Sequence, residues 1–357
     1  MHKPDDWTSE RVLICRDSAS GLLAAIAIDD TTLGPGLGGV RFRRYPSVED
    51  GVAEARRLAA AMTLKNALAG LPYGGAKSVI FDGGQPSRRA EQIRAFGSHV
   101  AQLAGDYVPG VDMGTTGHDL DVMASMGAEV TCAQEDPSPW TALGTFEAIR
   151  AAISVTAQRD DLIGVRVAIQ GAGHVGASLA KLLAEAGAQV LVSDIDPARA
   201  REVADSVGGE VVAPQDFLTT ECDVLAPCAV ARVLTPETIP GLRSRVVAGA
   251  ANDMLDTDEC AELLQSRGIT YVPDFLTNAG GVIHIHGLSQ GWSTDRLDIE
   301  VRAIGDRVRD VLVEANSLGV TPFAAARAQA ERRIEAARRV ETSARRGDRC
   351  DLVGMRP

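Results

Sequence analysis

Residues 165–176 read Val165-Arg166-Val167-Ala168-Ile169-Gln170-Gly171-Ala172-Gly173-His174-Val175-Gly176. The apolar, β-branched run predicts a buried strand, and the Gly-x-Gly-x-x-Gly after it opens a helix. Glycine permits a tight turn there and lets a pyrophosphate approach the helix N-terminus, where unpaired N–H groups and the helix dipole favour negative charge. The next strand ends in Val192-Ser193-Asp194, with Asp194 eighteen residues past Gly176. A carboxylate at that place accepts hydrogen bonds from ribose hydroxyls and repels a 2′-phosphate. Gly171, Ala172, Gly173, His174, Val175, Gly176 and Asp194 therefore predict a site for NAD, while Arg199 and Arg201 just downstream are the features that would suit NADP.

Outward from this motif, strands and helices alternate through 189–194, 197–207, 223–228, 245–250, 258–267 and 270–272, the pattern of a parallel, doubly wound sheet. A helix at 141–156 precedes it, a long amphipathic helix at 294–317 follows, and Thr321-Pro322 opens another helix as an N-cap with proline at the first position. The stretch before residue 141 has another texture. Residues 11–28 read as a hairpin around Ser20-Gly21, 47–69 as a long helix behind a serine cap, 78–81 as a short buried strand and 91–103 as a helix. Gly34-Pro35-Gly36-Leu37-Gly38-Gly39 predicts a loop, being too rich in glycine for a strand interior, and the last dozen residues predict a loose polar tail. The expected fold class is α/β in two domains.

The chain has 357 residues, 45% hydrophobic and 24% charged, with a formal charge of -12. Phosphate backbones need a basic footprint, so nucleic acid is excluded as a partner. No apolar run is long enough to span a bilayer and the first ten residues have no apolar core, which predicts a cytoplasmic protein with no membrane partner. Six scattered cysteines, none in a Cys-x-x-Cys pair, predict buried thiols. His284 and His286 stand two apart, where helix side chains diverge, so no metal site is expected.

A second constellation runs Met62-Thr63-Leu64-Lys65-Asn66-Ala67-Leu68-Ala69-Gly70-Leu71-Pro72-Tyr73-Gly74-Gly75-Ala76-Lys77-Ser78. Two lysines in mostly apolar surroundings are costly without a partner or a task. An amino-acid carboxylate would partner one, and a neighbouring cation in a desolvated pocket would lower the pKa of the other enough for it to act as a base. Each alone reads more readily as a snorkelling surface residue, and it is the pair within GGAK that changes the balance. Asp112, in Gly110-Val111-Asp112-Met113-Gly114-Thr115-Thr116, reads alone as a turn former.

Together with GLGGVRF, DPSP, APCA, GAAN, PDFLTNAGG and GVTP in the same order, these motifs resemble the glutamate, leucine, phenylalanine and valine dehydrogenase family over nearly the whole chain. The resemblance implies an N-terminal α/β substrate and oligomerisation domain at 1–140, rejoined by the C-terminal helix at 321–357, a Rossmann NAD-binding domain at 141–320, and a cleft between them. It implies NAD-dependent, reversible deamination of an L-amino acid to its 2-oxo acid and ammonia by a homo-oligomer. Lys65 would bind the substrate carboxylate, Lys77 would be the base, and Asp112 would share proton transfer. Asn252 would lie between substrate and cofactor, Asn278 against the nicotinamide, and Ala226 and Cys228 would line the cofactor cleft.

Glutamate enzymes of the family carry a lysine where Leu37 stands, beside Gly38; here a second carboxylate would be buried unpaired, so an apolar side chain is expected. Leu37, Val282 and Ile285 resemble the branched-chain enzymes, whereas Gly110 opens room as in the phenylalanine enzymes. Leucine, valine or isoleucine is the leading expectation and an aromatic amino acid the alternative. Asp253 and Trp140 depart from the family pattern and leave room for an unusual substrate of secondary metabolism. A non-catalytic NAD-binding protein is the third reading, and the intact Lys65, Lys77 and Asp112 set argues against it.

Overall fold

The computed structural model describes residues 9–131 and 135–353, with side chains in the last helix through residue 340. The chain divides into two compact units, Met1–Glu135 with Gln329–Pro357, and Asp136–Ala328.

The first unit contains β1 (Arg11–Asp17), β2 (Leu22–Asp30), β3 (Gly36–Arg43), α1 (Val48–Leu68), β4 (Gly74–Phe81), α2 (Arg89–Ala101), β5 (Tyr107–Val111) and α3 (Gly117–Ser125). Its sheet has the order β1-β2-β4-β3-β5; β1, β2 and β4 pair antiparallel, and β3 runs parallel to both β4 and β5. Strand alternation gives the sheet two faces. Ala25, Ala27 and Val79 pack on Ala55 and Ala59 of α1, whereas Ile26, Val40, Ala76 and Ile80 pack on Ile93 and Phe96 of α2. Ser47 caps α1 by accepting the Asp50 N–H at 3.1 Å.

The predicted glycine loop is instead largely strand β3, the second-innermost position of the sheet. The physical reason is close approach: a Cβ on Gly38 would run into the Ala76 carbonyl, and one on Gly36 would stand 2.8 Å from the Ala76 Cβ. Missing side chains here serve tight strand packing rather than a turn. The tail expectation also fails, because helix continues to Val353; Ala, Arg and Glu, all good helix formers, dominate that stretch.

The second unit contains α4 (Ser138–Ala157), β6 (Arg166–Gln170), α5 (His174–Glu185), β7 (Gln189–Ser193), α6 (Pro197–Val207), β8 (Glu210–Val211), β9 (Val224–Pro227), β10 (Val246–Val247), α7 (Glu259–Ser266), β11 (Thr270–Tyr271), α8 (Asp274–Thr277), α9 (Gly280–Ser289) and α10 (Thr294–Leu318). The helix α11 (Pro322–Val353) begins here and, from Gln329 on, belongs to the first unit. All six strands are parallel in the order β11-β10-β9-β6-β7-β8. That is the doubly wound Rossmann arrangement, with its order reversing between β6 and β9, where such sheets bind dinucleotides. The core beneath it gathers Ala168, Leu191, Leu225, Val247 and Tyr271 with Phe217 and Met254.

Candidate active site

The first unit brings Lys77 and Asp112 together. Lys77 is on β4, Gly39 lies on the adjacent strand β3, and Asp112 is the first residue past β5. The Lys77 Nζ stands 3.1 Å from the Asp112 Oδ2. Gly39 makes the encounter possible, since a Cβ there would sit 2.7 Å from the Asp112 Cβ and 3.1 Å from the Lys77 Nζ. Two residues on, and so on the same face of β3, Arg41 closes the group: its Nε donates to the Asp112 Oδ2 at 2.7 Å and its Nη1 to the Glu54 Oε1 of α1 at 2.7 Å.

Burial pushes the Lys77 ammonium below the usual lysine range; the Asp112 carboxylate opposes this and the Arg41 charge adds to it. Burial alone would raise the Asp112 carboxyl, but Lys77 and Arg41 outweigh it and hold the group below the usual carboxylate range. The asymmetry has a simple origin: Asp112 is stabilised by two cations, whereas for Lys77 burial and the Arg41 charge work against the Asp112 and Glu54 carboxylates. The sequence expectation gave the role of the neighbouring cation to Lys65; Arg41 fills it in the fold.

The Asp112 turn is braced on several sides. The Asp112 N–H donates to the Thr115 Oγ1 at 3.0 Å, that hydroxyl donates to the Val40 carbonyl at 2.7 Å, and the Arg89 Nη2 donates to the Gly114 carbonyl at 2.8 Å. Lys65 lies buried in the last turn of α1. The end of that helix is capped from α11 by Arg333, which donates to the carbonyls of Ala67 and Leu71, while Ala330 and Ile334 pack on Ala67. Leu37 is buried on β3, and Gly38, its neighbour, receives the Tyr107 hydroxyl on its carbonyl at 3.1 Å. Gly110 pairs with Gly39, and a Cβ on Gly110 would meet the Thr131 Oγ1 at 3.2 Å.

In the second unit, Gly171 to Gly176 link β6 to α5. A Cβ on Gly176 would strike the Gly171 carbonyl, whereas one on Gly173 would meet nothing within 4 Å. The turn is thus closed beneath and open at the helix N-terminus, which fits a pyrophosphate. The Asp194 Oδ2 accepts the Ala172 N–H at 2.7 Å and its Oδ1 the Asp196 N–H at 2.8 Å, fixing the carboxylate beside the turn. The His174 side chain is 82% exposed and its Nδ1 meets the Asp136 Oδ2 at 2.9 Å. Ala226 is buried on β9, and Cys228 follows that strand with its N–H on the Gln170 carbonyl at 2.8 Å. The Asn278 Nδ2 donates to the Asn252 Oδ1 at 3.0 Å and to the Ala250 carbonyl at 3.2 Å. Val282 and Ile285, three apart on α9, share a half-buried face.

Other expectations find their places as follows. Cys15, Cys222 and Cys260 are buried, and burial pushes the Cys15 thiol up to about 11 and that of Cys222 to about 12. Cys132 and the side chain of Cys350 lie outside the described residues. His284 stacks on Trp140 at 5.6 Å, whereas His286 meets Trp292 edge-on at 5.2 Å. Among the described residues, no helix is long and apolar enough to cross a membrane.

Oxidation of an amine-bearing carbon needs a hydride acceptor and a proton acceptor; the chain has a dinucleotide fold for the first and a desolvated lysine as a candidate for the second. In class it is an NAD-dependent amino-acid dehydrogenase. The family model for "Glu/Leu/Phe/Val dehydrogenase, dimerisation domain" matches residues 9–128, and that for "Glutamate/Leucine/Phenylalanine/Valine dehydrogenase" matches residues 192–341. The chain belongs to this family. It is 38% identical to leucine dehydrogenase of Geobacillus stearothermophilus over 344 residues, covering 95% of this chain and 94% of that one. It is 36% identical to L-tryptophan dehydrogenase of Nostoc punctiforme, covering 94% and 96%. The crystal structure of that tryptophan enzyme superposes with a TM-score of 0.83, covering 93% of this chain and 97% of the other. Phenylalanine dehydrogenase of Bacillus thermotolerans is 36% identical, with 92% and 88% covered.

Proposed function

We propose that this dehydrogenase oxidises an apolar L-amino acid, branched-chain substrates foremost, to the 2-oxo acid and ammonia. The observation that carries the reaction is the buried Lys77–Asp112 contact at 3.1 Å. Lys65 holds the substrate carboxylate. Lys77 takes the proton from the substrate amine and passes it to solvent once the iminium has formed; it then takes a proton from the water that adds to the iminium carbon and returns that proton to the nitrogen as the carbinolamine expels ammonia. Asp112 stabilises the charge that Lys77 acquires and shares the proton. NAD, held by the glycine turn, Asp194 and the Asn278–Asn252 pair, supplies the hydride acceptor when bound. The polar contacts orient; the burial excludes water from the charged pair.

The preference for a branched aliphatic chain is supported by two features. Leu37 is buried and apolar, so a substrate carboxylate side chain finds no cation there. Val282 and Ile285 share a half-buried aliphatic face of α9, of the kind that suits a branched aliphatic chain. One methylene in an apolar pocket is worth about 1–3 kcal/mol, so the preference is expected to be graded rather than absolute. The test is kcat/KM on L-leucine, L-valine, L-phenylalanine and L-tryptophan. Leucine or valine is expected to exceed the aromatic substrates by about tenfold or more; a reversed order would assign the pocket to an aromatic side chain.

A further inference from the structure

We propose that Arg41 is a positioning residue for the base: it clamps the Asp112 carboxylate against Lys77 and, by sharing that carboxylate, keeps Lys77 from holding a proton as tightly as an isolated lysine–aspartate pair would. The inference rests on the reading of Lys77 as the base. Its geometric foundation is that two cations converge on one oxygen, with the Lys77 Nζ at 3.1 Å and the Arg41 Nε at 2.7 Å from the Asp112 Oδ2.

Arg41 is itself held in place. Its Nη1 lies 2.7 Å from the Glu54 Oε1, and its side chain is only 14% exposed, so the guanidinium spans two carboxylates from a fixed position. A planar fork can do this, whereas a lysine presents a single point charge. Other titratable groups stand around the cluster, among them Tyr45, which acts on Glu54 and Arg41, and Arg56, which acts on Asp29. Arg43 of β3 lies 4.0 Å and Arg57 of α1 3.9 Å from the Glu54 carboxylate, and Asp29 of β2 accepts the Thr63 hydroxyl at 2.7 Å. Lys65 ends α1. The Tyr107 phenol bonds Ser78 at 2.8 Å and the Gly38 carbonyl at 3.1 Å. Among the described residues, Asp112 forms its ion pairs with Arg41 and Lys77.

The sign follows from the charges. Removing Arg41 deletes a cation that repels protonated Lys77 and leaves Asp112 wholly to the lysine; both changes favour the protonated form. The acid limb of kcat/KM reports deprotonation of the base in free enzyme, so it moves to higher pH. Arg41→Gln and Arg41→Lys are compared with wild type across the pH profile, using L-leucine, L-phenylalanine or L-tryptophan, whichever turns over fastest, with thermal unfolding as the folding control. Arg41→Gln is expected to shift the limb upward by about one pH unit. Arg41→Lys, which keeps the charge and loses the fork, is expected to retain the limb and lose about tenfold in kcat/KM. An unmoved or lowered limb in folded Arg41→Gln overturns the proposal. If that variant does not fold, the lysine variant decides alone: lowered rate with the limb retained supports a positioning role, and full wild-type rate overturns it. The underlying reading fails separately, through turnover that survives in Lys77→Ala.

Discussion

Lys77→Ala is expected to lower kcat by about 10²- to 10⁴-fold, the scale of a lost general base, while leaving NAD affinity unchanged. The residue lies on β4 of the first unit, whereas the glycine turn, Asp194 and the Asn278–Asn252 pair are all in the second. Its partner is Asp112, also of the first unit. Truncation leaves Asp112 paired with Arg41 at 2.7 Å, so no carboxylate is stranded, and the fold is expected to survive. The two readouts are the initial rate of NADH formation and an NAD titration followed by protein fluorescence or calorimetry. A large fall in NAD affinity would show that Lys77 serves the dinucleotide rather than the amino acid.

Gly38→Ala is expected to cost about 3 kcal/mol of stability, the upper end for overpacking, and to abolish activity with it. The added methyl would run into the Ala76 carbonyl on β4, the strand that carries Lys77. Backbone cannot yield as a side-chain tip does, so β3 and β4 would have to part. Gly173→Ala is the matched contrast, because its methyl would meet no protein atom within 4 Å. Its unfolding midpoint is expected to stay near that of wild type, while NAD binding weakens as the methyl enters the open side of the turn. Thermal unfolding monitored by circular dichroism separates the two cases. A Gly38→Ala protein as stable as wild type would mean that β3 and β4 are not packed as closely as Gly36 and Gly38 indicate.

That glycine segment also marks where the sequence was hard to read. Alternating strands and helices after residue 165 were legible because each strand is a short apolar run ended by a turn signal, and the parallel sheet follows from that rhythm. The same rule failed at Gly36–Arg43. Strand readings look for side chains on alternating faces, and here close approach of the neighbouring strands leaves glycine at positions 36, 38 and 39. Misreading the strand as a loop hid Arg41. Counted as strand, Gly39 and Arg41 fall on one face, and an arginine two residues from a glycine beside Lys77 would have been visible as a partner for Asp112. The Lys77–Asp112 contact itself was not derivable from spacing, since it joins positions 35 apart through the order of β4, β3 and β5; family resemblance suggested that pairing. The capping of α1 by Arg333 was likewise out of reach, because it joins segments 266 residues apart.

Amino-acid oxidation is tested most directly by product balance in one reaction. Purified protein is mixed with NAD and each of L-leucine, L-valine, L-phenylalanine and L-tryptophan, and NADH, ammonia and 2-oxo acid are quantified together. Equimolar formation of all three from at least one of these substrates, absent in Lys77→Ala, is the expected result. NAD binding without NADH, ammonia or 2-oxo acid from any of them would contradict it.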